Sequence, residues 1–128
     1  MSLIFVSLPF VILIQTGGTY TPTSQTKLIA INKTQSILRG KTIFKKEQCI
    51  NCHKLDKTCR QLLNNLRDRY EKEFLYNFIR NEDSLLKAKH PEVISLKKSY
   101  NGANGLHDKK HLSDTQIEDL LDFIASFD

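Results

Sequence analysis

The sequence has neither an Arg-rich run nor a ladder of aromatic residues, although 19 Lys and Arg against 14 Asp and Glu give a formal net charge of +5. Proteins that read bases or phosphates show such basic patches, so the sequence predicts no nucleic-acid partner. Strand patterns are nearly absent after residue 40, and no internal repeat is visible, which excludes repeat architectures and favours an all-α fold. A chain of 128 residues with 40% hydrophobic content has room for one modest core, and therefore for one domain.

The N-terminus differs from the rest of the chain. "LIFVSLPFVILI", Leu3–Ile14, is a 12-residue apolar run, shorter than the roughly 20 residues that span a bilayer. A polar stretch rich in small residues follows it, as in a secretory signal. Residues 1–26 are therefore predicted to be a signal peptide or N-terminal membrane anchor plus linker, on a periplasmic or otherwise exported protein. No Lys or Arg precedes the run and no A-x-A-like cleavage site is visible, so a membrane tether through residues 3–14 stays open.

Two cysteines and a histidine stand within five positions in "EQCINCHKL": Cys49, Cys52 and His53. A thioredoxin-like dithiol needs alternating strands and helices, which the sequence lacks, and no second C-x-x-C completes a zinc site. C-x-x-C-H is the attachment motif of a c-type haem, in which each thiol adds to one vinyl group and the adjacent imidazole binds iron. The motif predicts one covalent haem c on Cys49 and Cys52, with His53 as proximal iron ligand. Zinc, a redox dithiol and coincidence remain as alternatives.

Four segments carry helical patterns. "SILRGKTIFKKEQ" predicts a short helix that leads into the cysteine motif, and "EKEFLYNFIR" predicts a second, since its apolar residues recur every three or four positions. Pro91 suits the first turn of a third helix that runs towards Tyr100. Ser113 and Gln116 form the S-x-x-Q box that starts the last helix. The apolar stripe of this last helix consists of Ile117, Leu120, Leu121, Ile124 and Phe127.

Three of these segments resemble a known family. "RGKTIFKKEQCINCHKL", "YEKEFLYNFIRNEDSLL" and "LSDTQIEDLLDFI" are similar to the haem-motif helix, the middle helix and the C-terminal helix of small class I, monohaem cytochromes c. The likeness covers residues 36–128, which predicts a cytochrome c domain there. It implies three to five helices around one covalently bound haem, a carrier of single electrons rather than an enzyme, and a helix crossing that includes Gly40 and Phe44.

The stretch after the haem motif departs from the family. The family has a Gly-Pro segment there, whose carbonyl orients the proximal imidazole, whereas this sequence reads "KLDKTCRQLLNNL". Another carbonyl must take that role, or the histidine is held less tightly. Cys59 lies in the same stretch and is interpreted as a buried or free thiol, with haem ligation and an intermolecular disulfide as alternatives.

A second departure concerns the sixth iron ligand, because Met1 is the only methionine. In the family the distal methionine lies just before the C-terminal helix, where this sequence reads "NGANGLHDKKHLSD" and places Leu106 and His107. The resemblance therefore implies His107 as the distal haem-iron ligand. His111 is the second choice, and another ligand or an open site is the third. His90, before Pro91, is expected at the surface.

These interpretations predict an exported monohaem cytochrome c that carries single electrons between redox partners. The alternative is a haem protein that binds or senses NO or CO through a displaceable sixth ligand, such as Cys59 or a histidine. Peroxidase activity is less supported, because no Arg and His pair can be placed beside the distal face. Lys41, Lys45 and Lys46 flank the motif, so we expect redox partners with an acidic surface.

Overall fold

The computed structural model describes residues 23–56, 63–99 and 107–127. Within these ranges the chain forms α-helices and one short 3-10 turn and contains no strand, which confirms the predicted all-α fold. The helices are α1 Ser24–Lys46, α2 Leu66–Arg69, α3 Lys72–Lys87, α4 Pro91–Ser99 and α5 Asp114–Ala125. None of the described helices is both long and apolar enough to cross a membrane. The leader predicted at residues 1–26 lies almost entirely outside the described residues.

Helices α1 and α5 pack against each other at close range. A Cβ atom placed on Gly40 would lie 1.9 Å from the backbone oxygen of Asp119 and 2.8 Å from Cβ of Phe123. One turn further along α1, Phe44 is 1% exposed, and its ring meets Phe123 edge-on at a centroid distance of 5.4 Å. Only glycine permits such an approach of two helix backbones. The predicted place of Gly40 and Phe44 at the helix crossing is confirmed.

Charged and hydroxyl groups join the same two helices beside this apolar contact. Arg39 donates two hydrogen bonds to the carboxylate of Asp119, at 2.6 and 2.8 Å, and Ser36 donates a third at 2.6 Å. Asp122, one turn along α5, accepts from Lys33 at 2.6 Å and lies 2.7 Å from the same Ser36 hydroxyl, whose single proton the two carboxylates share. The hydrogen bonds from Arg39 hold the pKa of Asp119 below its usual range. Two parallel hydrogen bonds between a guanidinium and a carboxylate fix the relative orientation of the two side chains as well as their distance. The pair of Arg39 and Asp119 therefore sets the register of α1 on α5.

Helix α5 lies between two parts of the core. Its start is the predicted capping box: the N–H of Gln116 donates to Ser113 Oγ at 3.3 Å, and the N–H of Ser113 donates to Gln116 Oε1 at 2.9 Å. The predicted apolar stripe is buried from Ile117 to Ile124, and Phe127 is half-buried. One edge of the stripe packs on Phe44 of α1. The other edge packs on residues of α3 and α4, namely Phe74, Leu75, Tyr76 and Val93.

Helix α1 is longer than the short helix predicted from the sequence. It spans 23 residues and begins at Ser24, and the residues from 23 to 35 are all exposed. This first half has no glycine or proline to interrupt a helix, but it has no apolar stripe that faces the core either. Because the prediction relied on apolar periodicity, it found only the half of α1 that packs on α5.

Candidate haem site

The haem motif forms one tight turn directly after α1. The helix ends at Lys46, and Gln48 then adopts a left-handed backbone conformation with φ 61°. A 3-10 turn over Cys49–Asn51 follows, and the N–H of His53 donates to the carbonyl of Cys49 at 2.8 Å. A left-handed residue just past a helix end reverses the chain direction. The turn therefore holds both thiols and the imidazole at the end of the helix that crosses α5.

The two thiols of this turn lie in different surroundings. Cys49 is half-buried and packs against the core cluster that contains Phe44 and Leu120, whereas Cys52 is exposed. Burial raises the pKa of the Cys49 thiol. One attachment residue thus faces the helix crossing and the other faces solvent, so a group bound to both would bridge the core and the surface.

The structure brings the two predicted iron ligands together. The ring centroids of His53 and His107 lie 5.9 Å apart, and their planes differ by 26°. Two imidazoles that would bind one iron through nitrogens at about 2 Å have ring centroids roughly 6 Å apart, so the separation of His53 and His107 suits a shared metal ion. Burial, and secondly the charge of His107, lower the pKa of His53. The lower pKa favours the neutral imidazole, which is the form that binds metals.

A carboxylate that the sequence analysis did not single out holds His107. Glu82 of α3 is 2% exposed, and its Oε2 accepts from His107 Nδ1 at 2.7 Å and from the His107 backbone N–H at 3.0 Å. Its Oε1 pairs with Lys97 Nζ at 2.8 Å. Burial by itself would raise the pKa of Glu82, but the hydrogen bonds from Lys97 and His107 outweigh burial and lower it. The Glu82 carboxylate is therefore ionised and doubly partnered.

One signal in the sequence could have revealed Glu82. The apolar face of α3 includes Leu75, Phe78 and Ile79, and Glu82 occupies the next position of the same face. A carboxylate in line with an apolar stripe needs a buried partner. The pattern gives no hint, however, that this partner is His107, which lies far along the chain.

A break in α3 ties His107 and its neighbours to the helix. Asn81 has non-helical dihedral angles, φ −159° and ψ 71°. Beside this break, the Glu82 N–H donates to the carbonyl of His107 at 3.0 Å, and the Lys109 N–H donates to the carbonyl of Arg80 at 3.0 Å. An interrupted helix leaves backbone groups without partners in the helix. The segment that carries His107 uses these groups, so its position is set by backbone hydrogen bonds as well as by Glu82.

His111, the second choice for the distal ligand, has a different partner. Its side chain is 61% exposed, and Nε2 lies 3.0 Å from Oε1 of Glu47, which immediately follows α1. Lys109 Nζ lies 3.5 Å from the other oxygen of Glu47. The hydrogen bond from His111 is the main reason for the lowered pKa of Glu47. This contact joins the segment before α5 to the start of the haem motif. The histidine whose ring lies next to His53 is His107 and not His111.

His90 is less exposed than predicted. It is half-buried, its ring lies 5.1 Å from that of Phe74, and its Nδ1 is buried with no hydrogen-bond partner among the described residues. Pro91 begins α4 directly after it, and Phe74 belongs to α3, so His90 packs against α3 just before the start of α4. Cys59 and Leu106, on which other predictions rest, lie outside the described residues.

Residues 37–128 match the Cytochrome c family, a range that covers well over half of the chain. No curated protein and no solved structure gives a significant match. The resemblance found in three segments over residues 36–128 is thus confirmed, and with it the cytochrome c fold. Members of this family bind haem c and are typically electron carriers rather than enzymes. The chain therefore belongs to the cytochrome c family and is, in general terms, a haem-based electron carrier.

Proposed function

We propose that this protein is an exported monohaem cytochrome c that passes single electrons between redox proteins and has no enzymatic activity of its own. The observation that supports this most strongly is the approach of His53 and His107, with ring centroids 5.9 Å apart. Haem iron supplies one-electron redox chemistry when it is bound. A centre with protein ligands on both sides changes charge with little rearrangement and leaves no open position for a substrate.

Each residue of the site has a distinct role in this proposal. Cys49 and Cys52 would hold the haem through thioether bonds, and their place on one turn would fix its position relative to α1. His53, on the same turn, is the proximal ligand. His107 is the distal ligand, because it shares a ring contact with His53 and arrives on a segment bound to α3. Phe78 lies 4.7 Å from the His107 ring and supplies apolar cover at the site.

The alternative function, NO or CO binding, requires a sixth ligand that leaves the iron readily. Three hydrogen bonds join Glu82 and His107: two to the Glu82 carboxylate and one between backbone groups. A ligand that is held in this way must break several contacts before it can move. The arrangement therefore favours an electron carrier over a gas sensor.

The first prediction concerns the purified protein. We expect an intact mass that includes one haem after denaturation, a low-spin spectrum in both oxidation states, and no spectral change when CO is added to the reduced form. A Cys49→Ala, Cys52→Ala double variant serves as the control and should lose its haem on denaturation. Rapid CO binding by the wild type would instead support the sensor. The same mass measurement reports whether residues 1–26 remain attached.

The proposed partners carry an acidic surface. Lys41, Lys45 and Lys46 are exposed on the last turns of α1, next to the haem motif, and no salt bridge to them occurs within the described ranges. Electron-transfer complexes are commonly small, and opposite charges speed their formation. These lysines are therefore the proposed contact surface for an acidic donor or acceptor.

The second prediction tests that surface. Lys45→Glu should slow reduction by an acidic redox protein several-fold at low ionic strength, with a smaller effect at physiological salt. Lys27→Glu is the matched control, because it makes the same charge change 18 residues, or about 27 Å, earlier on the same face of α1. Stopped-flow rates measured across a salt series give the comparison. Equal slowing in both variants, or no dependence on salt, would argue against a docking surface at the haem motif.

Export is part of the same proposal. The apolar run Leu3–Ile14 and the polar stretch behind it support a periplasmic or otherwise exported protein, with residues 3–14 as a membrane tether if they are retained. The short span of the run suits an interfacial anchor better than a bilayer crossing.

A further inference from the structure

Glu82 is the least exposed carboxylate of the described residues, at 2%. Removing a charged carboxylate from water is unfavourable, so a buried one needs partners that match its charge and its lone pairs. Lys97 supplies one such partner, at 2.8 Å from Oε1. If Lys97 were its only partner, Glu82 would have only a structural role, which is to join α3 to α4.

The contacts on the other oxygen point to a more specific role. Oε2 accepts from both the backbone N–H and the Nδ1 of His107, while the Glu82 N–H donates to the carbonyl of His107 at 3.0 Å. Glu82 therefore binds one residue through its backbone and its side chain together. The non-helical Asn81 immediately before Glu82 allows this arrangement, because the break in α3 frees the Glu82 N–H.

The chemistry of the contact determines which nitrogen of His107 is free. An ionised carboxylate only accepts hydrogen bonds, so the proton of the neutral imidazole lies on Nδ1 and the lone pair lies on Nε2. A carboxylate that accepts from the remote nitrogen also makes the imidazole a more basic ligand. The ring that Glu82 holds is the ring in contact with His53, at 5.9 Å between centroids.

We propose that Glu82 is the positioning residue for the distal haem ligand: it holds the Nδ1–H of His107, presents Nε2 to the iron and strengthens its donation. The proposal rests on the proposed function, in which His107 is that ligand. A more basic axial imidazole stabilises the ferric over the ferrous state, and a hydrogen-bonded one resists displacement by CO. Glu82 therefore lowers the reduction potential and keeps the distal position closed.

Glu82→Gln tests this role, since glutamine has nearly the same shape but offers a neutral acceptor. We expect the variant to remain low-spin. Loss of a hydrogen-bond partner of a metal ligand typically changes metal affinity or activity by about 10- to 100-fold, and we expect the preference for the ferric state to fall by a similar factor. For a one-electron couple this is a rise of about 60–120 mV in reduction potential. The apparent CO affinity of the reduced protein should rise by a similar factor, because the distal imidazole leaves more easily.

Glu47→Gln is the matched control. Glu47 also binds an imidazole of the same segment, His111, at 3.0 Å, and its replacement removes the same single negative charge. A general electrostatic effect would raise the potential in both variants alike. A contact specific to the distal ligand changes the potential and CO affinity only when Glu82 is replaced. Equal shifts in the two variants would overturn the role of Glu82.

Two further variants show whether a negative result contradicts the role of Glu82 or the ligation by His107. If Glu82→Gln loses its helical circular dichroism, Glu82→Asp is the test, because it keeps the negative charge and withdraws the carboxylate by one methylene group from both His107 and Lys97. A raised potential in Glu82→Asp supports the proposal, and a wild-type potential overturns it. His107→Ala tests the underlying ligation: a variant that stays low-spin would refute His107 as ligand. A high-spin His107→Ala with equal shifts in Glu82→Gln and Glu47→Gln would refute the role of Glu82 alone.

Discussion

Replacing His107 with alanine should convert a low-spin haem protein into a high-spin one that binds CO when reduced. Alanine has no group that can ligate iron, and the sequence after Met1 contains no methionine whose thioether could replace the imidazole. The contacts of Glu82 make substitution by another residue of the same segment difficult, because they fix the backbone at residue 107. Absorption spectra of both oxidation states, with and without CO, measure the effect.

His111→Ala is the control for this experiment, since it removes a second imidazole from the same segment. His111 is paired with Glu47 and largely exposed, so this variant should remain low-spin and closed to CO. A low-spin His107→Ala, or a high-spin His111→Ala, would contradict the assignment. The wild-type spectrum adds an independent check: it should lack the charge-transfer band of a thioether ligand, and the reduction potential should be lower than that of a Met-ligated cytochrome c.

The haem motif could be predicted from the sequence because its chemistry is local. Covalent attachment needs two thiols and an imidazole on one turn, so Cys49, Cys52 and His53 must be neighbours in the chain. The capping box of Ser113 is equally local, and the structure confirms it. The family resemblance implied His107 as the distal ligand, through the place of the family's distal methionine before the C-terminal helix, and the structure places the His107 ring 5.9 Å from that of His53.

Glu82 could not be predicted in the same way. Its role depends on a break in α3 at Asn81 and on contacts with Lys97 and His107, and neither residue is a sequence neighbour. In the sequence Glu82 is a carboxylate in line with the apolar face of α3, which indicates a buried partner but does not identify it. Contacts between distant segments are decided by packing, which periodicity alone does not describe. The first half of α1 was missed for the opposite reason, since it is helical without a buried face.

The positions of both proposed ligands, His53 and His107, depend on where α1 lies. His53 lies on the turn that follows α1, and the segment with His107 is tied both to α3 and, through Glu47, to the end of α1. Helix α1 is itself held by α5 at the contact of Gly40. A change in the crossing of α1 and α5 should therefore reach both sides of the haem, although Gly40 contacts neither ligand in the described structure.

Gly40→Ala should be among the most destabilising single changes in the domain. The new Cβ would lie 1.9 Å from the backbone oxygen of Asp119, and a backbone atom cannot move aside as the end of a side chain can. The two helices must separate, which loosens the contact of Phe44 with Phe123 and the hydrogen bonds of Asp119 with Arg39. A clash with backbone atoms puts this overpacking near the upper end of the usual cost of about 1–3 kcal/mol, so a net loss of about 2 kcal/mol remains after the gain of about 1 kcal/mol in helix propensity.

Thermal unfolding of the haem-loaded variants, followed by circular dichroism, measures this effect. For a domain of this size each kcal/mol changes the melting temperature by about 4–8 °C, so a net loss of about 2 kcal/mol should lower the melting temperature of Gly40→Ala by roughly 8–16 °C. Thr42→Ala is the matched control, because Thr42 is exposed on the same helix. Alanine at this position raises the helix propensity, as it does at position 40, but causes no clash. Its melting temperature should stay the same or rise. If Gly40→Ala were as stable as Thr42→Ala, α1 and α5 would not cross at the distance described, and the position of Cys49 against the core would need another explanation.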